Sequence, residues 1–98
     1  MGQYDVHRSV EGHLLVDIQA DILSGLNTRI VVPLMPPGLA PLPARRLNPA
    51  FEVEGATMLM VTQYLGAVQV SRLGPAVASL QHHRDRIGLA LDMALHGF

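Results

Sequence analysis

The spacing of apolar residues changes along the chain, and the predicted structure changes with it. Over the first three quarters, short β-prone runs are separated by polar gaps. Leu14, Val16 and Ile18 alternate with Leu15, Asp17 and Gln19. A period of two predicts a strand with one face buried and the other mixed. Residues 3–7 and 13–18 flank the gap Arg8-Ser9-Val10-Glu11-Gly12, which predicts a hairpin. Ser24-Gly25-Leu26-Asn27 predicts a turn. Residues 29–34 predict the next strand, ended by the region from Pro33 to Pro37. Residues 51–54 and 57–62 flank Gly55-Ala56, a second hairpin, and residues 67–73 predict a last strand.

From residue 76 to 95 the pattern is helical. Ile87, Ala90, Leu91 and Ala94 fall on one face at about 100° per residue. Asp85, Leu89, Asp92 and His96 fall on the opposite face. Gly88 costs a helix interior about 1 kcal/mol against alanine, and Gly97 stands where helices commonly end. Strands first and a helix last predict an α+β fold.

Residues 35–49 hold Pro36, Pro37, Pro41, Pro43 and Pro49, which leave no room for a regular helix or a central strand. Leu39, Leu42 and Leu47 lie among them and predict a loop packed on the core. The chain has 98 residues, which predicts one domain over residues 1–98. It is 49% hydrophobic and 15% charged, a balance that excludes intrinsic disorder. A net charge of −1 speaks against a nucleic-acid module held by a basic face. No direct nucleic-acid contact is therefore expected. The absence of cysteine excludes a disulfide scaffold, a Cys-ligated zinc site and a thiol nucleophile. No signal peptide is visible, and no apolar run approaches the ~20 residues of a membrane span. A cytoplasmic protein without membrane association is expected.

Few clusters are suited to chemistry. His82 and His83 are adjacent, so on a helix they point about 100° apart and chelate one ion poorly; a solvated helix start is expected, with no metal and no cofactor. Asp17, Asp21, Glu52 and Glu54 include candidates for acid–base pairing. Asp17 is better explained as a strand residue facing an arginine such as Arg29. Arg45-Arg46 beside Pro49 forms a small basic spot. The closing His96-Gly97-Phe98 leaves two readings open: an apolar tip docked on the core, or a contact presented to a partner.

The segments Leu15-Val16-Asp17-Ile18-Gln19-Ala20-Asp21-Ile22-Leu23, Arg29-Ile30-Val31-Val32-Pro33-Leu34 and Arg45-Arg46-Leu47-Asn48-Pro49 resemble the CcdB family. Those toxins of toxin–antitoxin pairs poison bacterial DNA gyrase. The tail resembles it too, through Ala78-Ser79-Leu80, His82, Asp85-Arg86-Ile87, Ala90-Leu91-Asp92 and Gly97. The resemblance implies an SH3-like β-barrel with an added small sheet and a long C-terminal α-helix, assembled as a homodimer. It implies no catalytic residues, an action on the gyrase A subunit that traps the cleaved DNA complex, and a CcdA-like antitoxin whose disordered half wraps the dimer. Carried over by position, the gyrase contact falls on Gly88, Leu89, Asp92, His96, Gly97 and Phe98. The antitoxin contact falls on Ile22, Leu23, Ser24, Asp85, Asp92, Leu95 and His96. His96 replaces the family's tryptophan, Arg84 an acid, Gly88 a lysine and Leu89 an asparagine. Two other functions stay open: a ribonuclease like the MazF toxins that share the barrel, drawing on Arg29, Arg45, Arg46 and the histidines, or a homologue that only binds antitoxin.

Overall fold

The computed structural model describes residues 2–41 and 46–97. Seven strands form one antiparallel sheet: β1 (Asp5–Ser9), β2 (Leu14–Asp17), β3 (Thr28–Met35), β4 (Ala50–Val53), β5 (Ala56–Met60), β6 (Gly66–Gln69) and β7 (Leu73–Ser79). A helix, α1 (Arg84–His96), follows. The strand order is β4-β5-β3-β2-β1-β7, with β6 also paired to β3. The sheet curls into a half-barrel, and α1 closes on it.

β3 is the pivot of the sheet. Its first half pairs β6, through Thr28↔Gln69 to Val31↔Gly66. Its end pairs β5, through Leu34↔Met60 and Met35↔Leu59. The small sheet added to the barrel is thus continuous with it through one strand. Pro33 does not end β3 but lies inside it, opposite Leu15. Its carbonyl accepts the Val61 N–H at 2.9 Å, so the strand loses only the donor that proline lacks. The β4–β5 hairpin turns on Glu54 and Gly55, with φ of 53° and 80°. Two successive positive φ values between the paired Val53 and Ala56 make the primed two-residue turn that matches strand twist.

The expected boundaries fail between residues 67 and 83. Residues 67–73 do not form one strand: β6 ends at Gln69, and a 3₁₀ turn over Val70–Arg72 leads into β7. Residues 76–79 are strand rather than helix, because the free edge of β1 takes them. Asp5 pairs Ser79 and Val6 pairs Ala78, with irregularities on either side of His7. Here Gly74 is required: a Cβ on it would stand 2.7 Å from the Arg8 carbonyl oxygen, closer than backbone can yield. The His7 ring nitrogen Nδ1 lies 2.9 Å from the Gly74 carbonyl and donates to it.

The inward residues Val6, Val16, Val32, Phe51, Val53 and Met60 meet Leu80, Ile87 and Ala90 in one core. Ile87 and Ala90 are fully buried and Leu91 partly so, as the helical spacing predicts. Ala94, expected on the same face, is exposed. Leu39 is 72% exposed, which corrects the expectation of a proline loop packed on the core; Leu47 is half-buried. Leu42, Pro43 and Arg45 lie outside the described residues.

Candidate functional site: the outer face of the terminal helix

Burial of Ile87 and Ala90 fixes the rotation of α1 and so decides what its other face presents. Asp85, Leu89, Asp92 and His96 follow each other at steps of four, three and four residues and make one stripe along the helix. All four are exposed. Leu89 and Leu95 are 63% and 64% exposed, and Gly88 lies half-buried between the two faces. The helix ends as expected: Gly97 adopts φ 80°, and its N–H donates to the Met93 carbonyl at 3.0 Å. That left-handed residue satisfies a carbonyl of the last turn and redirects the chain. Phe98 lies outside the described residues.

The second expected surface is the 3₁₀ turn Asp21–Leu23. Ile22 is 90% exposed, Leu23 is 45% exposed, and Ser24 is exposed. Asp21 accepts the Gln3 N–H at 2.7 Å, which ties the turn to the chain's start. Ile22 therefore lies outside the core and Leu23 is only partly covered, so the turn presents two adjacent apolar side chains to solvent. Residues 22–24 and the α1 stripe are thus both solvent-facing. The helix itself packs chiefly on the turn Thr62–Tyr64 and on the 3₁₀ turn Gln81–His83.

The candidate acid–base carboxylates are all engaged separately. Asp17 is fully buried with Arg29; Oδ2 accepts from Nε at 2.8 Å and stands 2.6 Å from Nη2. This is the pairing expected from the sequence, and it commits the Arg29 charge to Asp17, although Arg29 also borders a hollow of about 400 Å³ with Ser24, Leu26, Asn27 and Val70. Glu54 pairs with Arg8. Glu52 Oε1 accepts the Thr57 hydroxyl at 2.6 Å. Among the described residues no group of three or more His, Asp or Glu could hold a metal ion, and no helix is long and apolar enough to cross a membrane.

A constellation that the sequence pattern missed lies where β4 meets the start of α1. Arg86 sets its guanidinium 4.7 Å from the Phe51 ring centre and donates through Nη2 to the Ala50 carbonyl at 2.9 Å. The His83 ring centre lies 5.0 Å from that of Phe51 and 4.1 Å from that of His82. Partial burial, then His82 beside it, then the Arg86 charge, hold the His83 pKa below the usual imidazole value. His82 and His83 are therefore not a uniformly solvated helix start. The adjacent doublet of histidines was the available signal, but its partner Phe51 is 32 positions from His83. Two hollows adjoin Arg86. One, of about 190 Å³, is lined by Ala50, Phe51, Glu52, Thr57, His83 and Arg86. The other, of about 180 Å³, is lined by Arg46, Pro49, Arg86 and Leu89. A larger hollow of about 410 Å³ lies elsewhere, among Leu34, Met35, Met58, Tyr64 and their neighbours, and no expected partner residue lines it.

A curled sheet closed by a C-terminal helix is the fold of two solved structures. An endoribonuclease from Mycobacterial species is similar with a TM-score of 0.80 and 13% identity, covering 97% of this chain and 90% of that one. The Mycobacterium tuberculosis toxin MazF-mt6 is similar with a TM-score of 0.78 and 10% identity, covering 92% and 94%. At these identities the likeness is one of fold. Within that fold the family is specific: the model of the CcdB protein matches residues 3–97, and the chain belongs to the CcdB family.

Proposed function

We propose that this chain is the toxin of a type II toxin–antitoxin pair, a cytoplasmic, non-catalytic homodimer that binds the DNA gyrase A subunit and traps its cleaved DNA. A cognate antitoxin neutralises it. Family membership and fold support the toxin. The observation that carries the binding mode is the outer face of α1. Leu89 and Leu95 are apolar, exposed and unused by the core, and they lead into Gly97, which the family keeps in its closing turn. A few ordered apolar side chains on a rigid helix carry binding energy at low ordering cost.

The antitoxin is assigned to Ile22, Leu23 and Ser24 together with Asp85, Asp92, Leu95 and His96. A segment that folds on binding spans separate apolar spots of this kind. His96 offers a smaller ring than the family's tryptophan, and weaker poisoning follows. The protein incubated with gyrase, supercoiled plasmid and ATP, then with detergent, is expected to yield linear DNA. His96→Trp is expected to raise that yield. Intact plasmid at high protein dose counts against the gyrase target. Degradation of total RNA would hand the activity to a ribonuclease.

A further inference from the structure

The formal charge of −1 hides how the cations are distributed. Arg8, Arg29 and Arg72 each pair with a carboxylate, of Glu54, Asp17 and Glu11. Arg46, Arg84 and Arg86 have no carboxylate partner among the described residues. Arg46 and Arg86 line one hollow, and Arg86 also lines the next. Two of the three, Arg46 and Arg86, thus meet beside Pro49 and Leu89 at the β4–α1 junction. Arg84 and Arg86 lie in the first turn of α1, where the helix dipole disfavours cations. The ring contact and the carbonyl bond hold Arg86 there, but neither neutralises its charge.

We propose that this junction binds a single-stranded nucleic-acid segment. Its phosphodiester lies between Arg46 and Arg86, and one base enters the hollow of His83, Phe51, Glu52 and Thr57. The contact with Phe51 and the bond to the Ala50 carbonyl fix the plane of the Arg86 guanidinium. Its remaining N–H groups are a preset fork for phosphate oxygens. Each hollow is smaller than the ~300 Å³ of a drug-sized ligand, so each fits one group of a linked ligand. The two hollows share Arg86, as two nucleosides share a phosphate.

Glu52 decides between anions. Its Oε1 already accepts from Thr57, and its carboxylate faces the same hollow as His83. An acidic peptide would set carboxylate against carboxylate there. A base with adjacent N–H donors, guanine above all, satisfies it. The His83 ring lines this hollow and offers an edge or face against which a base packs. His83, held toward its neutral form, does so without repelling Arg86.

The test titrates fluorescein-labelled octamers, guanine-containing or all-uridine RNA and the guanine-containing DNA counterpart, into the full chain at several salt concentrations. Saturable binding is expected, stronger for the guanine octamers, with log K falling against log salt at a slope of about −1.4 for two phosphate contacts. The RNA and DNA arms decide which polymer is preferred. Arg86→Gln and Arg46→Gln are each expected to weaken binding about tenfold and to make the slope shallower by about 0.7. Glu52→Gln is expected to narrow the guanine preference. Arg46 and Glu52 are exposed, and their variants are expected to keep the urea midpoint. Arg86→Gln is expected to lower it modestly and stay folded, so binding is read below the unfolding transition and a loss reports the site. Absence of saturable binding at low salt overturns the proposal. So does binding that keeps wild-type affinity and slope in both arginine variants. Displacement of the octamer by an equal concentration of tetraglutamate would assign the junction to an acidic chain and overturn it as well.

Discussion

Two arginines in this molecule are held against the same sheet and end in opposite conditions. Arg29, on β3, is fully buried and spends its charge on Asp17 of β2. Arg86, on α1, is exposed and is held by an aromatic ring and a carbonyl, neither of which neutralises it. The first arrangement satisfies a charge that could not otherwise stay in the core. The second orients a charge and leaves it available. A cation that is oriented but not neutralised is suited to recognition, and one that is neutralised and sealed is suited to specifying register between strands.

The contrast is broken most severely at Asp17. Asp17→Ala leaves a buried guanidinium without its partner and is expected to cost about 3–5 kcal/mol in urea unfolding. Asp17→Ala with Arg29→Met is expected to cost less than the sum of the singles, because the orphaned charge is gone. Ile87→Ala, which removes the side chain that seats α1 under Arg86, is expected to cost about 2–4 kcal/mol by the same measurement. Arg86→Ala itself is expected to cost about 1 kcal/mol or less, the scale of an exposed cation–π contact and one surface hydrogen bond. A loss as large as that at Asp17 would erase the distinction between the two arginines. Gly88→Ala is expected to raise stability by up to about 1 kcal/mol, since nothing lies within 4 Å of an added Cβ. The smallest effect is that of pH. The folded state lowers the His83 pKa, so the unfolded chain takes the proton first. Stability is then full above about pH 6.5, declines as pH falls toward the lowered value, and levels off below it. His83→Gln is expected to flatten this slope in pH-dependent urea midpoints.

What was legible in the sequence was what local periodicity controls. Asp17 stood on the mixed face of an alternating strand, where an arginine such as Arg29 is the simplest partner for a carboxylate; its complete burial was not legible. Ile87, Ala90 and Leu91 recurred at helical spacing and marked the buried side of α1, which left Leu89, Asp92 and His96 outside. Residues 76–79 were not legible. Ala76, Val77 and Ala78 fit helix and strand alike, and the deciding partner, β1, lies about 70 positions earlier. The Arg86 junction was hidden for the same reason. Its orientation depends on Ala50 and Phe51, on a strand about 35 residues away, and no spacing rule within α1 points to them. The outer stripe of α1 could be placed from periodicity, but its partners came from family resemblance, because an exposed leucine does not name what covers it.

The pairing of β1 with β7 has a consequence for how the protein is made. The β4–β5 hairpin closes through two residues and forms on the microsecond scale. β1 emerges from the ribosome first, yet its outer edge waits for Leu73–Ser79, and Ile87 must then follow to seal the core. At about 5–20 residues per second, that leaves several seconds in which the nascent polypeptide has neither a closed barrel nor a seated helix. Any surface that needs the seated helix is therefore absent until the last residues have left the ribosome.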